Sequence, residues 1–207
     1  MTYLQNILRV YNQADDAERA SGMEWYANAN NTAQYIADTH ELPLRIVVGV
    51  IAALSPTNKW GRNIYDADHM CRTFLSGGYV EDTSPCTYKP MRDKAWSILT
   101  DMPDDDIAFL TDMPDDDIAL CSILKGPKIT DFYLCIMGQA TCVIDGHAWC
   151  IANDDRRTMQ EVPFIGKKLR AELQDAYRVA GNSVGISAYQ MQAITWVTWR
   201  RIHNIEG

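Results

Sequence analysis

The chain is expected to fold as an all-α protein, and three observations say so. Apolar residues recur at helical spacing, helix start and stop signals bracket those runs, and no series of alternating strands separated by turn residues occurs. Leu4, Ile7, Leu8 and Tyr11 share one face of an N-terminal helix. Pro43 opens Leu44–Leu54, a run apolar on nearly every side. Its length and its Ala-Ala-Leu end favour a buried helix over a strand. Ile123 to Leu134 reads as the end of one helix, a Gly126-Pro127 turn, and a second helix carrying Ile129, Phe132 and Tyr133 inward. Thr141–Ile144 is the one strand-like stretch. Leu169, Leu173, Ala176, Tyr177 and Ala180 follow helical spacing, with Gly181 as the expected C-terminal cap. Ser187 and Gln190 form a capping box that opens a last helix through Met191, Ile194, Val197 and Ile202.

A chain of 207 residues suits one large domain or two lobes sharing a core, and a hydrophobic share of 47% is what a folded globular chain needs. No run of about 18 apolar residues is present, so no membrane partner is expected. The start lacks a basic segment followed by an apolar one, which argues for a cytoplasmic protein. Cys71, Cys86, Cys121, Cys135, Cys142 and Cys150 contain no Cys-x-x-Cys pair. They are read as reduced core thiols, with no metal, no iron–sulfur cluster and no cofactor expected. In the Asp66-x-Asp68-His69 run, Asp66 and Asp68 fall on different helix faces, which sets aside a metal-dependent nuclease.

The net charge of −8 speaks against a nucleic-acid partner until its distribution is considered. Leu99–Phe109 recurs as Leu110–Leu120 with one change, and eight of the 27 acidic residues fall within 100–119. Outside that stretch the two signs balance, and Lys125 with Lys128, Lys167-Lys168 with Arg170, and Arg200-Arg201 stand out as basic groups. The acidic tandem repeat, residues 99–120, is read as a duplication in a connecting segment, each copy a turn followed by a short helical stretch.

The central segment then becomes informative. Lys125-Gly126-Pro127-Lys128 forms the turn, and Val143-Ile144-Asp145-Gly146-His147 follows it after one helix. Upstream, Leu54-Ser55-Pro56-Thr57-Asn58 precedes Arg62-Asn63. In order and spacing these segments resemble the helix–hairpin–helix DNA glycosylase superfamily, its endonuclease-III-like branch in particular. They are also similar to small phage-encoded relatives that include thymine-hypermodification enzymes. The resemblance covers about residues 43–152, and the hairpin is about one residue shorter than the family's and lacks its second glycine. The second basic segment, Val162-Pro163-Phe164-Ile165-Gly166-Lys167-Lys168, also resembles a hairpin opening a helix.

The resemblance implies a single helical unit over residues 1–207 made of two lobes with a cleft between them. Residues 43–152 would carry the motifs, and the N- and C-terminal helices would form the second lobe. It implies DNA as partner, in host cytoplasm if the chain is phage-encoded, and a base flipped from the duplex before chemistry. Lys128 and Asp145 take the two catalytic positions. The lysine would be the nucleophile at the sugar if desolvated, and the carboxylate would orient it, take a proton or stabilise cationic charge. Thr57, Asn58, Lys125, Gly126, Lys167 and Lys168 are the expected DNA contacts, and Ser55, Asn63 and His147 line the expected pocket.

Plainer readings stand beside these. Asp145 is also a good helix N-cap, Lys128 an ordinary surface lysine, His147 a packed side chain, and Thr57-Asn58 a turn. Trp196 and Trp199 read as packing residues, and Arg200-Arg201 as a solvated helix end. Two other functions compete with base excision: a phage-type transferase that modifies thymine on the same scaffold, and a DNA-binding module without chemistry.

Overall fold

Residues 2–101 and 115–205 are described by the computed structural model, and every regular element among them is helical. In chain order these are α1 Tyr3–Tyr11, α2 Asp16–His40, α3 Leu44–Leu54, α4 Trp60–Leu75, a 3₁₀ turn Val80–Asp82, α5 Lys89–Asp101, α6 Asp115–Leu124, α7 Pro127–Ile136, α8 Gly146–Asn153, α9 Lys167–Ser183 and α10 Ala188–Ile202. The all-α expectation therefore holds. The strand-like Thr141–Ile144 is a correction: it is extended coil with no ladder partner, and Cys142, Val143 and Ile144 point into a core built from helices.

The chain divides into two compact units, Met1–Asn28 with Leu134–Gly207 (unit 1) and Ala29–Tyr133 (unit 2). Unit 2 is organised around α3. Nine of its eleven residues are buried, because α5, α4 and α6 pack around it and leave it no solvent face. Gly49 lets α6 approach closely: a Cβ there would stand 2.9 Å from Leu120 Cδ1. The second repeat copy is thus more than a connecting segment, since Leu120 is fully buried and Asp117 accepts a hydrogen bond from the Tyr133 hydroxyl. Most of the first copy lies outside the described residues.

Unit 1 packs α1, α8, α9 and α10 around Ile7, Val10, Ile144, Trp149, Ile151, Leu173, Tyr177 and Trp199. Thr2 and Gln5 close a capping box at the start of α1, and Ser187 and Gln190 close the expected one at α10. The first half of α2 joins this unit by a glycine contact, with Ile194 Cα 2.5 Å from where a Cβ on Gly22 would stand. Gly181 is not the cap of α9. The helix runs on to Ser183, and Gly185, at φ +77°, makes the left-handed turn that ends it. Gly181 is small for another reason: a Cβ would meet the Ile186 carbonyl oxygen at 2.7 Å.

Two further expectations are corrected by packing. Arg201 is exposed at the helix end as expected, but it is not merely solvated, because it also pairs with the buried Glu18 at 2.6 Å. Cys86 is exposed, whereas Cys71, Cys135, Cys142 and Cys150 are buried and Cys121 is half-buried.

Candidate functional site

The hairpin of unit 2 is a helix, a two-residue connection and a helix. Lys125 ends α6 in the left-handed region at φ +53°, a conformation that favours glycine, and its N–H donates to Cys121 O at 3.0 Å. Gly126 then turns tightly, its N–H 2.7 Å from Leu124 O, and Pro127 opens α7 at the position where a missing N–H costs nothing. Leu124 and Ile129 are buried on either side and hold the turn, while Lys125 and Lys128 are exposed. Beneath it, Lys94 Nζ donates to the Leu124 carbonyl. Burial, with the charge of Lys125 nearby, holds the Lys94 amine below its usual pKa.

The segment after α3 lies in the same unit. Thr57 is exposed at φ +60°, and a β-branched residue there is a steric outlier held by its surroundings. Those surroundings centre on Asp66, only 4% exposed. It accepts from Asn58 Nδ2 at 2.9 Å, Arg62 Nε at 2.6 Å and the Cys86 N–H at 2.8 Å. Thr87 Oγ1 donates to Pro56 O at 2.8 Å and closes the other side. Ser55 Oγ donates to Ala52 O at 2.9 Å and Asn63 Nδ2 to Ile51 O at 3.0 Å, so both satisfy carbonyls at the end of α3. The Oδ1 atoms of Asn58 and Asn63 are buried and lack a hydrogen-bond partner among the described residues. Trp60, the first residue of α4, meets Phe132 of α7 edge-on with centroids 6.5 Å apart. The strained segment and the hairpin are therefore joined within unit 2.

Asp145 belongs to unit 1. It is the N-cap of α8, its Oδ1 accepting from the Ala148 N–H at 2.9 Å, so the capping reading made from sequence is correct. The backbone leading to it is clamped by α9. Arg170 Nη1 donates to Ile144 O at 3.2 Å, and Gln174 Nε2 to Cys142 O at 3.1 Å and Thr141 Oγ1 at 3.2 Å. Half-buried His147 sits in the first turn of α8, and Tyr177 OH donates to Ala148 O at 3.3 Å. Lys167 and Lys168 open α9 after Gly166, an N-cap with no side-chain hydrogen bond. They do not form a second hairpin of the first kind, because residues 154–166 separate α8 from α9. Among the described residues no cluster of His, Cys, Asp or Glu is arranged to hold a metal ion, and no helix is long and apolar enough to cross a membrane.

A family model matches residues 1–203, which is almost the whole chain. The chain belongs to DUF7178, a family of unknown function. No curated protein and no solved structure matches it.

For this DUF7178 member the geometry sorts the expected residues. Ser55, Thr57, Asn58, Asn63, Lys125, Gly126 and Lys128 lie in unit 2, and Asp145, His147, Lys167 and Lys168 lie in unit 1. Three residues given no such role from sequence support them: Asp66 fixes the strained segment, and Arg170 and Gln174 fix the approach to Asp145. Their sequence signals were Arg170 in a basic cluster and Asp66 in the Asp-x-Asp-His run; Gln174 had none. Chemically, unit 2 offers exposed ammonium groups beside a tight turn, and unit 1 offers a carboxylate at a clamped helix start. Both are arrangements that suit anionic polymers and proton transfer.

Proposed function

We propose that this protein acts on DNA, extruding one base and working at its N-glycosidic bond. The observation that carries the reading is a helix–two-residue connection–helix presenting Lys125 and Lys128, followed by an aspartate, Asp145, locked at the next helix start by Arg170. Backbone N–H groups and lysines at the tight turn would hold phosphates. Thr57, exposed and strained, would enter the gap left by the base, at a cost of a few kcal/mol of unstacking that the contacts must offset. Asp145 would take a proton from the attacking nucleophile and stabilise positive charge on the sugar. Lys128, through its amine, would attack C1′ as the base leaves with the bonding pair; the adduct nitrogen would then give up a proton and its lone pair would open the sugar ring, the C1′–O4′ bond breaking and O4′ taking up a proton, to leave the protonated imine.

The test is borohydride trapping on duplexes carrying uracil, hydroxymethyluracil, oxidised pyrimidines or an abasic site. The expected result is a protein–DNA adduct with wild type that disappears in Lys128→Ala. Absence of both adduct and abasic product across the panel would overturn the proposal.

A second reading draws on the exposure of Lys128 at the hairpin surface. On this reading Asp145 is the base for an incoming amine in a thymine-modifying transfer, and Lys128 only binds DNA. Nucleoside mass spectrometry after incubation with modified DNA and amines would then show a new nucleoside that is lost in Asp145→Ala and retained in Lys128→Ala. An unchanged nucleoside profile would remove this reading.

A further inference from the structure

Residues 154–166 of unit 1 contain one aromatic side chain that the fold does not use. Val162 and Ile165 pack onto the buried cluster. Met159 covers Gly146, its Sδ 2.5 Å from where a Cβ would stand, which ties the connection to the residue after Asp145. Thr158 N and Oγ1 donate to Glu161 Oε2 at 3.0 and 2.8 Å and hold the turn. Phe164 does the reverse. Its ring is 92% exposed, whereas Phe74 and Phe132 are half-buried. A phenyl ring left in water forgoes the burial that stabilises the others.

The ring lies over the backbone of Gly166. Its Cε1 lies 3.5 Å from where a Cβ on Gly166 would stand, directly before Lys167 and Lys168. Lys168 is 93% exposed and pairs with Glu172 at 4.0 Å. Two acids of the connection are ion-paired, Asp154 with Arg9 and Asp155 with Arg157, and Glu161 accepts hydrogen bonds from Thr158. An exposed ring therefore stands three positions before the first of two exposed lysines, one of them paired along α9 with Glu172.

We propose that Phe164, Lys167 and Lys168 form a nucleic-acid contact of unit 1, in which the ring stacks on an unpaired base and the two ammonium groups hold neighbouring phosphates. An aromatic platform beside cations is how single strands are gripped without regard to sequence, because every base has a π-face. A protein partner fits less well, since lysine is depleted from the cores of protein interfaces. Continuity with the candidate site comes through α9, whose Arg170 and Gln174 clamp the approach to Asp145. The proposal rests on the DNA reading above and adds the strand contact to it.

Fluorescence anisotropy with a labelled single-stranded oligonucleotide and the same sequence as duplex tests it on the full chain. Phe164→Ala is expected to weaken single-strand binding about tenfold, and Phe164→Trp to restore it. The double Lys167→Gln, Lys168→Gln variant is expected to flatten the log–log salt dependence by about 1.5. Equal melting temperatures for all variants would show that the exposed side chains were removed without unfolding. Unchanged affinity in Phe164→Ala, with wild type binding and base release intact, would overturn this contact and leave the enzymatic reading standing. Phe164-dependent binding without adduct or base release would support the contact and count against that reading. Absence of DNA binding, with Phe164-dependent self-association in sedimentation, would overturn the contact in favour of a protein interface.

Discussion

Arg201, in the last turn of α10, donates to Glu18 near the start of α2 through Nε at 2.6 Å and Nη2 at 3.1 Å, and its Nη2 also reaches Gln13 O at 2.7 Å. Glu18 is only 7% exposed and also accepts from Thr198 Oγ1 at 3.4 Å. The Arg201 hydrogen bond holds the carboxyl below its usual pKa, against burial, which pushes it up. A carboxyl depressed in the folded state adds stability above its unfolded value of about 4.3, and that stability is lost as pH falls through the folded value. Glu18→Gln should therefore cost about 1–2 kcal/mol at neutral pH. The gap from wild type should close as melting is followed below about pH 4, and a gap independent of pH would contradict this account.

Gly22 and Gly61 predict opposite signs for one substitution. A Cβ on Gly22 would stand 2.5 Å from Ile194 Cα, and backbone cannot swing aside. Gly22→Ala should destabilise by about 3 kcal/mol despite the better helix propensity of alanine. Gly61, early in α4, has nothing within 4 Å, and Gly61→Ala should stabilise by about 0.5–1 kcal/mol. Denaturant midpoints of the two variants measure both.

Leu120 explains why the two repeat copies are not interchangeable. It is fully buried against Gly49, and the first copy has Phe109 at the equivalent place. Leu120→Phe should overpack this contact and cost about 1–3 kcal/mol by chemical denaturation. A neutral result would mean that α6 can shift off α3.

Capping and chemistry at Asp145 can be separated. Asn caps a helix about as well as Asp, so Asp145→Asn should change stability by only a few tenths of a kcal/mol, whereas Asp145→Ala should lose about 1 kcal/mol. On the proposed function, base release or base transfer should fall in both variants. Full activity in Asp145→Asn would reduce this residue to its cap.

Thr57→Gly tests stored strain. Glycine is at ease at φ +60°, so the variant should be as stable as wild type or more stable, by up to about 1 kcal/mol. Binding to a duplex with an extruded base should weaken if Thr57 fills the gap. A variant that loses stability would show that the Thr57 side chain supports the loop instead.

Much of the fold was legible because its signals are local. The apolar face of α1, the unbroken apolar run of α3, the Gly126-Pro127 turn and the Ser187 box each depend on residues a few positions apart. The middle of the chain was less so. α2 has only a weak apolar stripe and was given no element, although Asp15 accepts from the Glu18 N–H at 2.8 Å at its start. At the candidate site, Asp145 could be named as a cap from its place before Gly146, but its clamp could not, because Arg170 and Gln174 come from a helix more than twenty residues later.

The sequence by itself determined that the chain is helical, where the hairpin turns, and that Asp145 opens a helix, because backbone propensity and capping act over a single turn. Only the tertiary structure decided that Arg201 pairs with the buried Glu18, that Gly181 and Gly22 are small for packing, that Leu120 of the repeat belongs to a core, and that Phe164 stays in water. Those outcomes depend on which distant surfaces meet, and burial, close approach and charge pairing have no value until they do.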